Sequence, residues 1–326
     1  MYGKVTVRYI MWSNDRKGGL MIKNILKKYI KKALEKEDNI KLMIGKQLCF
    51  AQKRIEATKL SDIEFKVFSE SGEDGIIEYL VDRLPIKNKF FIEFGVENYN
   101  ESNTRFLMMN RNWSGIIIDA SAKNIEYIKN SYYFWKYDLN PIHSFITKEN
   151  INELISNKLK ELNIKRDIGL LSIDIDGVDY WVLKEIDCID PIIVICEYNS
   201  IFGNELPLTV PYDKNFVRTS YHYSNLYFGA NLKAYVNLLK TKDYVYIGSN
   251  SRSSNAFFCK KNLAGKYLGN LIANVPDFEF SKFRESRDKN GNLNYLRGND
   301  RIKEIKDLKL VNLDTNEEIF ISELIF

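Results

Sequence analysis

Residues 91–102, FIEFGVENYNES, join an apolar run to a polar segment that contains carboxylates and a glycine. Glu93 and Gly95 lie where the apolar run ends, and about 25 residues later Asp119 ends a second apolar run, GIIIDA. A glycine turn after one strand and an acid at the tip of the next can hold a nucleoside, because the acid accepts hydrogen bonds from ribose hydroxyls. This spacing suits NAD and S-adenosylmethionine alike.

The residues after Gly95 distinguish between these two ligands. A dinucleotide needs GxGxxG, so that a helix N-terminus can bind the pyrophosphate. Here the segment is VENYNES, which has no further glycine and adds carboxylates. Carboxylates repel phosphate and attract a cationic sulfonium. The turn therefore favours S-adenosylmethionine.

Further acids follow other apolar runs: Asp138, Asp174, Asp176 and Glu197. In an open α/β sheet, ligands bind outside the carboxyl ends of the strands, so we expect these acids to share one rim with Glu93 and Asp119. We interpret Asp138, in WKYDLNP, as the end of a weak third strand. Asp174, Asp176 and Glu197 could alternatively hold Mg²⁺, because converging carboxylates suit a hard divalent ion.

The elements that carry these acids follow a regular order from residue 68 onward. Apolar, β-branched runs alternate with helical stretches, and YVYIGS and NAFFCKK then predict two final strands that pair antiparallel. Such runs are typical of strands buried on both faces. The pattern predicts a Rossmann-like, doubly wound, mostly parallel seven-stranded sheet with an antiparallel last strand. We place this domain at 68–261, after an N-terminal helical extension (1–67) and before a C-terminal extension (262–326).

The N-terminal extension contains a basic amphipathic pattern. Apolar residues recur at helical spacing from Ile22 to Leu34, with lysines on the opposite face. Such a helix packs on the body of the protein or on a second subunit, or it attaches peripherally to an anionic membrane surface.

Composition excludes several classes of protein. The net charge of +5 over 326 residues does not favour nucleic acid as a partner. The cysteines, Cys49, Cys188, Cys196 and Cys259, show no CxxC spacing, which indicates buried thiols in a reducing compartment. No apolar stretch approaches the ~20 residues of a membrane span, and the first residues do not resemble a signal peptide. We expect a cytoplasmic protein.

Two longer stretches resemble a known family. LLSIDIDGVDYWVLKEI and FSESGEDGIIEYL, with the strand order above, are similar to class I S-adenosylmethionine-dependent methyltransferases, in particular the FkbM-like branch associated with bacterial glycan gene clusters. The resemblance covers roughly residues 68–261. With the rim argument, it implies S-adenosylmethionine as cofactor, bound by Ser71, Glu93, Gly95, Asn103, Asp119, Asp138 and Asp174.

Residues 201–223, IFGNELPLTVPYDKNFVRTSYHY, show neither helical nor strand periodicity and follow the fifth strand. Long loops at such an edge usually carry function, so we expect an acceptor lid here. His222 at its end, or Asp176 on the rim, is the candidate base. The candidate substrate-binding residues are Glu197, Asn199, Tyr212, Arg218 and Tyr223.

These features predict an S-adenosylmethionine-dependent methyltransferase. By family analogy it methylates an oxygen of a sugar or nucleotide sugar in surface glycan biosynthesis, such as that of capsule polysaccharide. The alternatives are an NAD(P)-dependent sugar-modifying enzyme and a non-catalytic Rossmann-like binding domain. A homo-oligomer is compatible with the sequence.

Overall fold

The computed structural model describes the backbone of residues 16–324 and the side chains of residues 26 and 29–324. The chain divides into two units, Met1–Lys41 and Leu42–Phe326. The helix α1 (Arg16–Gln52) begins in the first unit. In that unit Leu26, Ile30 and Leu34, spaced four residues apart, are 58%, 51% and 42% exposed. The basic amphipathic helix predicted from the sequence is present where the structure describes it.

The second unit contains the strands and the remaining helices. Its strands are β1 (Phe90–Phe94), β2 (Ser114–Asp119), β3 (Leu139–His143), β4 (Leu170–Ile173), β5 (Ile193–Glu197), β6 (Leu208–Thr209), β7 (Tyr244–Ser249), β8 (Asn255–Lys260), β9 (Lys309–Asn312) and β10 (Glu317–Phe320). Its helices are α2 (Glu73–Arg83), α3 (Arg105–Arg111), α4 (Ala122–Lys129), α5 (Ile151–Glu161), α6 (Asp179–Glu185), α7 (Arg218–Tyr221), α8 (Leu232–Thr241), α9 (Lys261–Tyr267), α10 (Gly269–Ala273) and α11 (Asn299–Glu304). Short 3-10 helices lie at Leu60–Asp62, Ser200–Phe202 and Ile321–Glu323.

The main sheet has seven strands in the order β3-β2-β1-β4-β5-β8-β7. The first five of these pair in parallel, whereas β8 pairs antiparallel with both β5 and β7. The predicted Rossmann-like sheet with an antiparallel last strand is therefore confirmed. The strand order reverses between β1 and β4, and in such sheets the crevice outside this point binds ligands.

Apolar cores cover both faces of the sheet. Successive side chains of a strand point to opposite faces, so Ile92 of β1 enters one core and Phe91 the other. Helices α5, α6 and α8 pack on the first face, and α2, α3 and α4 pack on the second. This burial on both faces explains why the strands are continuously apolar in sequence.

The third strand differs from its prediction. β3 begins at Leu139, so Asp138 precedes it and lies at the amino end of the sheet. Asp119 of β2 is paired instead with His143. β3 is an edge strand and contains Pro141, which an edge tolerates because its N–H side need not donate to a neighbour. The weak apolar pattern of β3 predicts this strand too early in the chain. Asp138 therefore does not reach the rim.

The segment predicted as a long aperiodic loop contains short elements. The 3-10 helix at Ser200–Phe202, β6 and α7 all lie within or beside it. β6 pairs with β9, and the C-terminal residues thereby form a second sheet of order β10-β9-β6. Residues such as Phe202 and Val210 are buried. The segment is tied to the C-terminal residues rather than free over the rim.

Among the described helices, none has the length and hydropathy that crossing a membrane requires.

Candidate active site

The turn after β1 brings two strand ends into contact. Gly95 has φ of +69°, and a Cβ there would lie 1.5 Å from the carbonyl oxygen of Asp174. Its N–H donates to the Ile118 carbonyl at 2.9 Å, which continues the pairing with β2. Only glycine fits this position, because any side chain would push β1 and β4 apart.

Asp119 lies at the tip of β2 as predicted. One carboxylate oxygen accepts the Glu97 N–H at 2.8 Å. The other accepts the Ser121 N–H at 2.8 Å and the Asn124 side-chain amide at 3.2 Å. A carboxylate offers about four acceptor positions, so Asp119 both holds its turn and retains capacity for a ligand.

Glu93 is buried beneath the rim, and its carboxylate is hydrogen-bonded within the protein. Its carboxylate accepts hydrogen bonds from the Ser102 hydroxyl at 2.7 Å, the Asn103 N–H at 2.8 Å and the Thr104 hydroxyl at 2.5 Å. Burial raises its pKa, and these hydrogen bonds counteract the increase. Asn103 in turn donates to the Ser172 hydroxyl at 3.1 Å. Glu93 and Asn103 thus brace the segment before α3.

A cavity of about 230 Å³, which we call the rim cavity, lies at the reversal of strand order. Its lining includes Gly95, Glu97, Asp119, Phe145, Asp174 and Asp176. It has four carboxylates, and no lysine or arginine is among its lining residues. Such a site favours a cation and disfavours phosphate.

The turn after β4 presents Asp176 to this cavity. The buried carboxylate of Asp179 accepts the Ile175 N–H at 2.7 Å and the Gly177 N–H at 2.8 Å. Burial raises the pKa of Asp179 to about 6. Asp176, between these two donors, adopts φ of +55°. The turn is therefore fixed by Asp179, and Asp176 is held at the surface of the rim.

Asp174, Asp176 and Glu197 converge, with ligand atoms within 4.8 Å of one another. Burial, then the charge of a neighbouring carboxylate, raises the pKa of both Asp174 and Glu197 well above the ordinary range. Each of these neighbouring carboxyl groups therefore disfavours ionisation of the other. Asp176 forms an ion pair with Arg218. Three carboxylates suit a hard ion such as Mg²⁺, but an ion would compete with Arg218 for Asp176.

A second cavity of about 110 Å³, which we call the loop cavity, lies on the other side of this cluster: Glu197 lines it, whereas Asp174 and Asp176 line the rim cavity. Its lining includes Glu70, Glu197, Asn199, Arg218, Phe283 and Arg301. The Arg218 guanidinium lies 3.9 Å from the ring centroid of Phe228 and donates to the Asn225 carbonyl at 2.8 Å. Desolvation, then the charge of Glu73, raises the pKa of Glu70 to about 7.

Of the predicted substrate residues, Glu197, Asn199 and Arg218 line the loop cavity. The amide of Asn199 donates to the carbonyls of Leu226 at 2.9 Å and Phe228 at 3.1 Å. Asn199 therefore also holds the part of the cavity wall that Leu226 and Phe228 form.

Other predicted residues do not line either cavity. The Tyr212 hydroxyl donates to Glu149 at 2.5 Å, and the Tyr223 hydroxyl donates to Glu304 at 2.6 Å. His222 contacts the Ser224 hydroxyl at 2.7 Å through Nδ1, and burial lowers its pKa. The Ser71 N–H donates to Glu73 at 2.9 Å. None of Ser71, Tyr212, His222 and Tyr223 is among the residues that line the two cavities.

The sequence interpretation missed several lining residues. Ser144 and Phe145 directly follow β3, and a correct placement of that strand would have found them at the rim. Phe283 and Arg301 belong to the C-terminal extension, where neither periodicity nor a motif marks them.

No protein-family profile and no curated protein match the sequence. Solved structures with a similar fold include the N-terminal domain of EvdMO1 with SAH bound, with a TM-score of 0.37, 7% identity, and coverage of 57% of this chain and 78% of that one. An O-methyltransferase from Bacillus cereus in complex with SAH has a TM-score of 0.36 and 11% identity, covering 67% of this chain and 88% of its own. An S-adenosylmethionine-dependent methyltransferase from Clostridium acetobutylicum has a TM-score of 0.35 and 11% identity, covering 64% and 94%. Likeness at this level assigns neither substrate nor activity to this chain.

Proposed function

We propose that this protein is an S-adenosylmethionine-dependent methyltransferase. The observation that carries the proposal is the lining of the rim cavity at the reversal of strand order, which combines four acidic side chains with no lysine or arginine among the described lining residues. A pyrophosphate would be repelled there, whereas a sulfonium would be attracted. When bound, S-adenosylmethionine supplies a reactive methyl group.

The residues of the rim cavity have distinct tasks toward this cofactor. Asp119 accepts hydrogen bonds from the ribose hydroxyls, and the glycine turn at Gly95 lets the nucleoside approach the backbone. Phe145 provides an apolar surface for the adenine ring. The acidic side chains of Glu97 and Asp176, which also line the cavity, favour a cationic sulfonium.

The loop cavity is the proposed acceptor site. Carboxylate, amide and guanidinium groups line it, and such groups hydrogen-bond hydroxyls, which supports a sugar or nucleotide sugar as the acceptor. We place the reaction on an acceptor oxygen, in the cytoplasm, in the synthesis of a surface glycan such as capsule polysaccharide. The glycan assignment comes from the family resemblance.

The proton acceptor is assigned to a carboxylate. Asp176 lines the rim cavity and pairs with Arg218 of the loop cavity, but this ion pair weakens it as a base. Glu70 lines the loop cavity, and its pKa of about 7 suits proton transfer at neutral pH. His222 could take this role only if the segment around α7 moved.

Titration calorimetry with S-adenosylhomocysteine tests the proposed function. Asp119→Asn should weaken binding by roughly ten-fold or more, because it removes a charge-assisted acceptor. Asp138→Asn is the matched control, since Asp138 precedes β3 at the other end of the sheet. Binding of NAD(P) in place of S-adenosylhomocysteine would favour the dehydrogenase or epimerase alternative. Binding of neither would favour a non-catalytic domain.

We further propose that α1 contacts an anionic membrane surface. Residues 16–41 contain nine lysines and arginines against three acids, and the apolar side chains of Leu26, Ile30 and Leu34 are exposed. A second copy of the chain is the alternative occupant, disfavoured because two such basic helices repel each other.

A further inference from the structure

An arginine of the C-terminal extension lines the loop cavity without an acidic partner among the residues that the structure describes. Arg301 of α11 is 5% exposed. One terminal nitrogen donates to the Phe283 carbonyl at 3.2 Å, whereas its buried Nε has no hydrogen-bond partner. The nearby acids are engaged elsewhere: Glu285 pairs with Arg287 and Asp300 with Lys303.

Burial of Arg301 without an acidic partner destabilises the protein unless a bound ligand supplies a negative charge. A guanidinium stays charged in proteins, and burial without a counter-charge is strongly unfavourable. Desolvation lowers the pKa of Arg301, and no neighbouring acid counteracts it. Arg301 lines the loop cavity, so a ligand there that reaches its guanidinium supplies both an acceptor and a counter-charge.

We propose that Arg301 binds an anionic group of the acceptor, a phosphate or a carboxylate. The inference rests on the proposed function, because it takes the loop cavity as the acceptor site. The planar fork of arginine pairs with two oxygens of such a group. The cavity of about 110 Å³ has room for it, since a water needs only about 15 Å³ by the same measure.

Other charges on the cavity wall direct the anion to Arg301. Arg218 is already paired with Asp176, and Glu285, which also lines the cavity, is paired with Arg287, so among the described lining residues Arg301 is the guanidinium without an acidic partner. The hydroxyl-bearing Ser281 also lines the cavity, as a further donor. The acceptor is thus a sugar that bears an acid or phosphate group, bound with that group at the C-terminal extension and its reacting hydroxyl toward the rim.

The test is calorimetric titration of the full-length protein with inorganic phosphate, glucuronate and glucose. Arg301→Gln should weaken binding of the anion by roughly ten-fold or more, because a hydrogen-bonded charge pair is lost. Arg297→Gln, which removes the same charge from an exposed position of the same segment, should bind like the parent. Tight binding of phosphate alone identifies a phosphorylated acceptor, and tight binding of glucuronate alone identifies a sugar acid.

Two results would overturn the inference: neither anion binds the parent better than glucose does, or Arg301→Gln binds the anion as well as Arg297→Gln does. Should Arg301→Gln not fold by circular dichroism, Arg301→Lys keeps the charge but loses the fork, and it must still weaken anion binding several-fold. Titration of each variant with S-adenosylhomocysteine separates the two proposals. If the cofactor product binds and the anions do not, only the role of Arg301 is wrong.

Discussion

Glu93 and Asp119 end neighbouring strands with the same chemical group, yet their hydrogen bonds give them different roles. The carboxylate of Glu93 accepts hydrogen bonds from the segment from Ser102 to Thr104. Asp119 instead lines the rim cavity and can accept a further hydrogen bond. The sequence shows which strands end in acids. It does not show which acid the following loop covers, because that depends on tertiary contacts such as the hydrogen bonds to Glu93.

A prediction at this scale concerns the base. We expect His222→Ala to keep most of its turnover with an acidic sugar acceptor, because His222 lines neither cavity, and Glu70→Gln to lose roughly 10² to 10⁴-fold. The pKa of Glu70 is about 7, and a base must be deprotonated to act, so turnover should rise as pH increases through this value. In Glu70→Gln that limb should vanish.

Steady-state rates over pH 5.5–8.5 measure this, and Asp176→Asn is the comparison. If His222→Ala alone abolishes turnover, the segment around α7 must move to bring it to the acceptor. A normal pH limb in Glu70→Gln would return the role to Asp176.

The carboxylate cluster makes a prediction about metal. We expect methyl transfer to persist in EDTA, because Arg218 already supplies positive charge to Asp176. Turnover with and without chelator measures this. Collapse in EDTA with recovery on added Mg²⁺ would establish Asp174, Asp176 and Glu197 as ligands.

At the scale of elements, predictability follows the strength of local pattern. β1, β2, β4 and β5 are buried on both faces, and their apolar runs were recognisable in sequence. β3 is an edge strand with Pro141, and the sequence pattern predicts it several residues too early in the chain. β6 has two residues and exists only because β9 pairs with it. Such elements depend on residues distant in sequence, which local pattern cannot reveal.

The helix α1 makes a prediction that does not depend on the catalytic site. The double variant Ile30→Asp and Leu34→Asp should lower co-sedimentation with phosphatidylglycerol vesicles by roughly ten-fold or more, because each buried apolar side chain contributes about 1.5–3 kcal/mol. High salt should also weaken binding. Phe320→Asp, at an exposed apolar residue of β10, is the control.

Phosphatidylcholine vesicles should bind the parent weakly, because they lack the anionic charge. Equal binding of the double variant and the parent would remove the membrane role. A change in sedimentation velocity without vesicles would point instead to a second copy of the chain.

At the scale of the whole molecule, the C-terminal extension forms part of the wall of the loop cavity. Ser281 donates its N–H to the Ser200 hydroxyl at 2.7 Å, and the Tyr227 hydroxyl bonds the Lys309 carbonyl. Leu310 and Ile321 enter the same apolar core as the first face of the main sheet. The sequence placed the extension outside the sheet domain because it lacks alternating strands and helices, but core packing joins the two.

This joining leads to a prediction about cooperative unfolding. Leu310 is 0% exposed in β9, so Leu310→Ala should destabilise the protein by about 3 kcal/mol through lost burial and a cavity. The four tryptophans all precede residue 182, so urea unfolding followed by tryptophan fluorescence does not report the extension directly. If the extension shares the core, Leu310→Ala should lower the fluorescence midpoint and the circular dichroism midpoint together. The control variant Leu293→Ala, at an exposed position, should leave both midpoints unchanged. An unchanged fluorescence midpoint would mean that the extension unfolds independently, and the wall that carries Arg301 could then open without loss of the sheet.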